Sequence, residues 1–108
     1  MSYQVFLTDD AAYDLEGLYK YIESHDTLEK ANYVLDKIEE TFSSLADNPE
    51  RGAYPNELIA VGLREYREIY FKPYRIIYRI IAKHVYVMLI TDGRRDMQSL
   101  LQFRLLQA

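Results

Sequence analysis

The chain has 108 residues, of which 49% are hydrophobic and 28% are charged, and it contains no cysteine. This length and composition predict one folded domain over residues 1–108 and argue against a disordered chain. The lack of cysteine excludes a disulfide framework, a cysteine-ligated zinc site and a thiol nucleophile. The formal net charge of -4 argues against a general nucleic-acid binder, a class that is usually basic.

The two halves of the chain carry opposite charge. Residues 1–53 hold four basic and twelve acidic side chains, whereas residues 54–108 hold nine basic and five acidic ones. The basic half permits a local cationic patch that meets an acidic partner. We find no apolar run of transmembrane length and no basic-then-apolar N-terminus typical of a signal peptide. We therefore expect a cytoplasmic protein that does not enter a membrane.

The first half of the sequence predicts one strand and two helices. Residues 3–8 are rich in strand formers. Apolar residues then recur at helical spacing from the Thr8 region to about Ser24, and again after a break. Asp26 with Glu29 three positions later resembles a capping pair for the second helix, which we expect to end near Asp47. Two amphipathic helices with so short a link predict an antiparallel hairpin.

The second half changes to strand periodicity. Residues 63–71, 74–81 and 85–91 are rich in Tyr, Ile and Val, and Lys72-Pro73 marks the turn between the first two strands. A short helix is predicted from about residue 96 to residue 106. The resulting fold class is α+β: an N-terminal strand, an antiparallel two-helix hairpin packed on an antiparallel sheet of about four strands, and a short C-terminal helix.

The Lys72-Pro73 turn also predicts which side chains share a face of the sheet. Because side chains alternate between the two faces of a sheet, we expect the more apolar set to meet the helices and the polar set to face solvent. The polar set comprises Arg64, Tyr66, Glu68, Tyr70, Arg75, Ile77 and Arg79. Tyrosine beside arginine can stack bases and bind phosphates, but it is also an ordinary cross-strand packing pair. An odd loop length would exchange the two faces.

Several short motifs, taken together, resemble the RelE/ParE superfamily of bacterial toxins. They are the segment YRIIYRI at residues 74–80, the ending DGRRD at residues 92–96, Gly62-Leu63-Arg64 before the middle strand, and Asn48-Pro49 with Gly52. The resemblance covers nearly the whole chain. It implies the toxin of a type II toxin–antitoxin, or plasmid stabilisation, system. Members like ParE are linked to inhibition of DNA gyrase, members like RelE cut mRNA in the ribosome, and antitoxins neutralise both.

The resemblance also bears on catalysis. RNA cleavage through the 2'-hydroxyl needs a base, an acid and cations that stabilise the phosphorane. Arg75 and Arg95 (less so Arg94) match two arginines of the nuclease branch. Its lysine positions fall near Tyr66 and Glu68, and its C-terminal tyrosine position falls near Leu101. The ParE-like branch, with no catalytic residue of its own, is therefore the leading interpretation, and a ribosome-dependent endonuclease using Arg75 and Arg95 is the alternative.

The partners follow from the same resemblance. We expect a ParD-like antitoxin in a hetero-oligomer, DNA gyrase as the target (alternatively the ribosome with mRNA), and neither a metal nor another cofactor. A non-toxic module that only binds an antitoxin is a third possibility. Candidate target-binding residues are Arg64, Arg75, Arg79, Arg94 and Arg95, although Asp92 and Asp96 would pair locally with the last two. The C-terminal helix has more apolar surface than we expect it to bury, which is typical of an interface. It supplies the candidate antitoxin-binding residues Met97, Leu100, Leu101, Phe103 and Leu105.

Overall fold

The computed structural model describes residues 2–106. In chain order the elements are β1 Gln4–Leu7, α1 Asp9–His25, α2 Leu28–Ser43, α3 Asn56–Ile59, β2 Arg67–Phe71, β3 Tyr74–Ile81, β4 His84–Asp92 and α4 Met97–Leu101. A 3-10 turn, Ser44–Ala46, extends α2, and a π-helical turn, Gln102–Leu106, extends α4. The predicted α+β class, helical hairpin, four strands and C-terminal helix are confirmed. Of the helices in residues 2–106, none has both the length and the apolar character that crossing a membrane requires.

The four strands form one mixed sheet in the order β1-β4-β3-β2. Strands β2, β3 and β4 pair antiparallel, whereas β1 pairs parallel with β4. The prediction of an antiparallel sheet is therefore wrong for β1. Antiparallel neighbours are joined by tight turns, but a parallel pair needs a long crossover connection. Here the helical hairpin and two other strands lie between β1 and β4 along the chain. No turn motif in the sequence therefore indicates that β1 and β4 pair.

The predicted register of the β2–β3 hairpin is confirmed. Tyr70 lies opposite Arg75 and Glu68 lies opposite Ile77 in the antiparallel ladder. Strand β2 begins only at Arg67, however, so the prediction of a strand from residue 63 is wrong. Residues 63–66 lie outside the strand because they follow α3 and the turn that ends it.

Threonine side chains begin both long helices. The Thr8 hydroxyl accepts a hydrogen bond from the Ala11 amide at 3.1 Å, and the Thr27 hydroxyl accepts one from the Lys30 amide at 3.0 Å. The predicted cap at Asp26 is therefore wrong, because Thr27 satisfies the amide one position further along the chain. Asp26 instead ends α1, and its own amide donates to the Ile22 carbonyl at 2.8 Å.

Helix α3 was not predicted from the sequence, because one helical turn is too short to show a period. Gly62, with φ +82°, ends it. The Gly62 amide donates to the Ile59 carbonyl at 2.9 Å, and the Leu63 amide donates to the Leu58 carbonyl at 2.9 Å. These two bonds are those of a Schellman motif, in which glycine takes the left-handed position without a Cβ penalty.

Each face of the sheet is covered by its own hydrophobic core. The hairpin helices pack on the face that was predicted to meet them, which includes Ile69, Ile76 and Tyr78. The opposite face packs against α3 and α4 through Leu58, Tyr66, Ile77, Leu89, Met97 and Leu101. The expectation that this second face meets solvent is therefore wrong for its buried members, Tyr66, Glu68, Arg75 and Ile77. It is right for Arg64 and for Tyr70, which is 48% exposed.

The C-terminal helix supplies much of this second core. Met97 and Leu101 are buried in it, and Leu100 and Leu105 pack against its border. The expectation that α4 has more apolar surface than the domain can bury is therefore wrong for Met97 and Leu101. Phe103 points away from the core and is 65% exposed.

Candidate functional site

Arg75 on β3 is enclosed by two carboxylates from different elements. Its Nε donates to Glu68 Oε1 on β2 at 2.8 Å, and its Nη2 donates to the same oxygen. Its Nη1 and Nη2 donate to Glu57 Oε2 and Oε1 on α3, both at 2.8 Å. Three elements thus meet through one guanidinium, whose side chain is only 9% exposed. We call Glu57, Glu68, Arg75 and Tyr70 the Arg75 cluster.

The contacts within the Arg75 cluster shift the pKa values of Glu57, Tyr70 and Arg75. Hydrogen bonds from Arg75 hold the pKa of Glu57 below its ordinary value of 4.5, and the two carboxylates raise the pKa of Arg75. Burial, followed by a hydrogen bond to Glu68, raises the pKa of Tyr70. Tyr70 therefore remains a donor, and its hydroxyl donates to Glu68 Oε2 at 2.8 Å.

Gly93 makes room for this arrangement. A Cβ at Gly93 would lie 2.7 Å from Arg75 Cδ and 3.1 Å from the Pro73 carbonyl oxygen. The Gly93 amide donates to that carbonyl at 2.8 Å. The Asp92-Gly93 corner, which the sequence analysis noted as a family-like motif, therefore has a structural role: it lets the aliphatic stem of Arg75 lie against the backbone.

The positions where a nuclease would need a base hold no free base. Glu68 is held by Arg75 in the cluster. Tyr66 is buried in the second core, and its ring lies 5.5 Å from the guanidinium of Arg79. No group of three or more His, Asp or Glu side chains within residues 2–106 is placed to hold a metal ion.

Arg94 and Arg95 are exposed on the protein surface, after the end of β4. Arg94 donates from Nε and Nη2 to the two oxygens of Asp92, at 2.9 and 2.6 Å, which lowers the pKa of Asp92. The predicted local ion pair is therefore formed at Asp92. Asp96 instead caps α4, accepting from the Ser99 amide at 3.2 Å. The exposed Arg95 donates to Thr91 Oγ1 at 3.3 Å.

Both arginines border an open groove of about 620 Å³ between α1 and the end of β4. On the helix side the groove is lined by Tyr13, Gly17 and Tyr21, which lie four residues apart on one helix face. Gly17 leaves a gap between two tyrosines that are 77% and 61% exposed. This α1–β4 groove was not predicted from the sequence, although the four-residue spacing of Tyr13, Gly17 and Tyr21 indicates a shared helix face.

A partly buried ion pair covers the edge of β4 beside this groove. Beyond the end of β1, the Ile90 amide donates to Asp14 Oδ2 at 3.1 Å, and the Met88 carbonyl accepts from Arg104 Nη2 at 3.0 Å. Arg104 also donates to both oxygens of Asp14, at 2.9 and 3.0 Å. The pair therefore satisfies polar backbone groups on a strand edge that β1 is too short to reach.

The five arginines predicted to contact a target do not form one site. Arg75 is buried, and Arg94 and Arg95 border the α1–β4 groove. Arg79 lies four residues along β3 from Arg75, or about 13 Å at the rise of a strand. Arg64 is exposed just before β2 begins.

The fold is that of the small α+β toxins in which a helical hairpin packs on a four-stranded sheet. Residues 5–97 match the family described as "ParE toxin of type II toxin-antitoxin system, parDE". The chain belongs to this family, and the resemblance seen in its motifs is confirmed. No curated protein sequence matches the chain significantly.

Solved structures of related toxins share the fold. A chromosomal ParDE toxin–antitoxin system from P. aeruginosa contains a chain that is 22% identical, with a TM-score of 0.71 over 84% of this chain and 96% of that one. The RelBE2 toxin–antitoxin complex from Mycobacterium tuberculosis gives 21% identity and a TM-score of 0.61, over 85% and 99%. A mutant of the E. coli toxin RelE in the free state gives 14% identity and a TM-score of 0.63, over 92% of both chains.

Proposed function

We propose that this toxin acts by binding its target, that the target is DNA gyrase, and that the protein has no RNA-cutting chemistry of its own. The observation that carries this proposal is the position of Arg75 between Glu57 and Glu68. A nuclease of this fold would need that arginine to face the scissile phosphate.

The charge of the Arg75 cluster works against RNA cleavage. Stabilising a phosphorane requires cationic donors aimed at the charge that develops in the transition state. The donors of Arg75 already bond to two carboxylates, and the sum of one guanidinium and two carboxylates is negative. Withdrawing Arg75 toward a phosphate would leave the buried Glu68 and the partly buried Glu57 without a counter-ion, which is strongly unfavourable.

We also propose that the chain is neutralised in the cytoplasm by a ParD-like antitoxin, as a hetero-oligomer. The two similar toxin–antitoxin structures support an antitoxin partner. Of the five residues proposed to contact it, Phe103 is exposed, whereas Leu100 and Leu105 are partly buried. Met97 and Leu101 fill the second core, so a contact through them would require α4 to move.

Two assays on the purified protein test the target. We expect inhibition of DNA supercoiling by gyrase, reversed by the antitoxin, and no mRNA cleavage in a translating extract. Cleavage without gyrase inhibition would overturn the proposal in favour of the ribosome-dependent endonuclease. Arg95→Ala is the informative variant for that alternative, because Arg95 is exposed and its removal leaves the fold intact. A chain that neither inhibits gyrase nor arrests growth would instead be an antitoxin-binding module.

A further inference from the structure

A second arginine cluster lies where β2 begins. Arg64, Arg67 and Arg79, with Tyr54, line a polar cavity of about 270 Å³. Strand β3 continues past the start of β2, so the cavity sits at an open corner of the sheet. It is separate from both the Arg75 cluster and the α1–β4 groove.

Arg67 is held rigidly in this corner. Its Nη1 donates to the Glu50 and Gly52 carbonyls at 3.1 and 2.9 Å, and its Nη2 donates to the Tyr54 hydroxyl at 3.1 Å. Its guanidinium also lies 4.6 Å from the centre of the Tyr54 ring. The charge is thus positioned before any ligand arrives, which reduces the ordering that binding would require.

The other two arginines have N–H groups that make no hydrogen bond within residues 2–106. Within residues 2–106, Arg64 makes no ion pair or hydrogen bond, and its guanidinium lies 5.8 Å from the Tyr54 ring centre. The Nε of Arg79 is buried without an acceptor among the described residues. The one ion pair of Arg79 is the long 3.4 Å contact from Nη2 to Glu65. Because this Nε is enclosed by protein, an anion in the cavity would meet the remaining part of the Arg79 side chain, which is 32% exposed.

The cavity is suited to a small anion. Three guanidiniums line it with a single carboxylate, that of Glu65, so the local charge is positive. Its volume is below the range of about 300–1,000 Å³ typical of pockets for drug-sized ligands. The Tyr54 ring already contacts Arg67, so recognition relies on charge and not on stacking of a base. The planar donors of arginine match phosphate oxygens well.

We propose that Arg64, Arg67 and Arg79 form a binding site for a phosphate group, carried by a free phosphate ester or by a nucleic-acid backbone. The site requires neither gyrase nor RNA cleavage, so this proposal can be tested independently of the proposed function. Its ligand class follows from the donors and the cavity volume alone.

Arginine Nε–Hε signals in NMR spectra test the site on the full chain. Inorganic phosphate, a nucleoside monophosphate and a short single-stranded oligodeoxynucleotide are titrated at constant ionic strength. We expect saturable shifts of Arg64 and Arg79, and affinity about tenfold weaker in Arg64→Gln and in Arg79→Gln. Lys72→Gln removes an exposed charge elsewhere and should leave the affinity unchanged. Arg67→Gln is not used, because the guanidinium of Arg67 donates hydrogen bonds to two backbone carbonyls.

The outcomes separate the two sources of phosphate. The ligand is a nucleic-acid backbone if two results are found. The oligonucleotide binds more tightly than the monophosphate, and each arginine substitution reduces the number of counter-ions released on oligonucleotide binding by about one. If the monophosphate binds equally well, the ligand is a free phosphate ester. Shifts no larger than those produced by chloride or acetate, or equal affinity in the arginine and Lys72 variants, would overturn the proposal.

Discussion

Glu57 and Arg75 form a two-pronged ion pair between α3 and β3, with both nitrogen–oxygen distances at 2.8 Å. The pair joins a one-turn helix to the central part of the sheet, and Glu68 completes the enclosure of the guanidinium from β2. Arg75, a catalytic candidate by its place in the YRIIYRI segment, therefore has a structural role in this chain.

The pair predicts an acid-sensitive contribution to stability. Because Arg75 lowers the pKa of Glu57 in the folded state, the unfolded chain binds more protons near and below the ordinary value of 4.5. This contribution is present at neutral pH and is lost as the pH falls through the ordinary value and then through the lowered pKa of the folded state. We expect Glu57→Gln to unfold at lower urea concentration at pH 7 and to show a flatter loss of stability in acid.

Glu16→Gln is the matched control for that measurement. Glu16 also has its pKa lowered by a neighbour, Lys20, but this i,i+4 pair is exposed. Solvent screens such pairs, so the variant should follow the wild-type pH profile closely. If Glu57→Gln and Glu16→Gln gave the same acid profile, the partly buried pair of Glu57 and Arg75 would not be the source of the pH dependence.

Removing the guanidinium is predicted to unfold the chain more readily than removing either carboxylate. Arg75→Met leaves two carboxylates without a counter-ion, and breaking a buried pair in this way costs about 3–5 kcal/mol. Adding Glu68→Met removes one of the two unpaired carboxylates, so the double variant should be more stable than Arg75→Met. Urea denaturation of the single and double variants measures the difference. A double variant that is less stable than the single would contradict it.

This prediction also affects how toxicity data are interpreted. Loss of growth arrest in Arg75→Ala would follow from unfolding alone and would not identify a nuclease. Circular dichroism of the purified variant should therefore accompany any growth assay, and the exposed Arg95 is the better probe of catalysis.

The sequence predicted the two long helices, the four strands, the C-terminal helix and the β2–β3 register, because these depend on local patterns. Alternation placed Glu68 and Arg75 on the same face correctly. Their burial was not predictable, since it depends on α3 and α4 folding over that face. Glu57 is 18 residues from Arg75 along the chain, and one helical turn gives no period that would place it there. The cavity lined by Arg64, Arg67 and Arg79 was not predictable for a similar reason, because the Glu50 and Gly52 carbonyls that hold Arg67 belong to an irregular loop.

Two glycines are predicted to respond to alanine in opposite directions. A Cβ at Gly52 would lie 2.6 Å from the Tyr78 hydroxyl oxygen and 2.7 Å from the Glu68 carbonyl oxygen. Tyr78 cannot move away easily, because its hydroxyl donates to the Pro49 carbonyl at 2.6 Å and accepts from the Gly52 amide at 3.0 Å. Gly52→Ala should therefore destabilise the protein by about 1–3 kcal/mol.

Gly17→Ala supplies the control, since nothing lies within 4 Å of a Cβ at Gly17. Gly17 is inside α1, where alanine is favoured over glycine by about 0.5–1 kcal/mol. Thermal denaturation should show a lower midpoint for Gly52→Ala and a higher one for Gly17→Ala. Shifts of the same sign would refute the steric account of the Gly52 loop.

The ion pair between Asp14 and Arg104 is predicted to control local opening at the edge of β4. Asp14→Asn removes the charge that holds Arg104 and weakens the acceptor of the Ile90 amide. We expect hydrogen exchange at Ile90 to become at least about tenfold faster, while amides of β3 change little, because opening at an edge need not unfold the sheet. Asp36→Asn, on the exposed face of α2, is the control. Unchanged exchange at Ile90, or equal acceleration in β3, would show that the pair does not hold this edge closed.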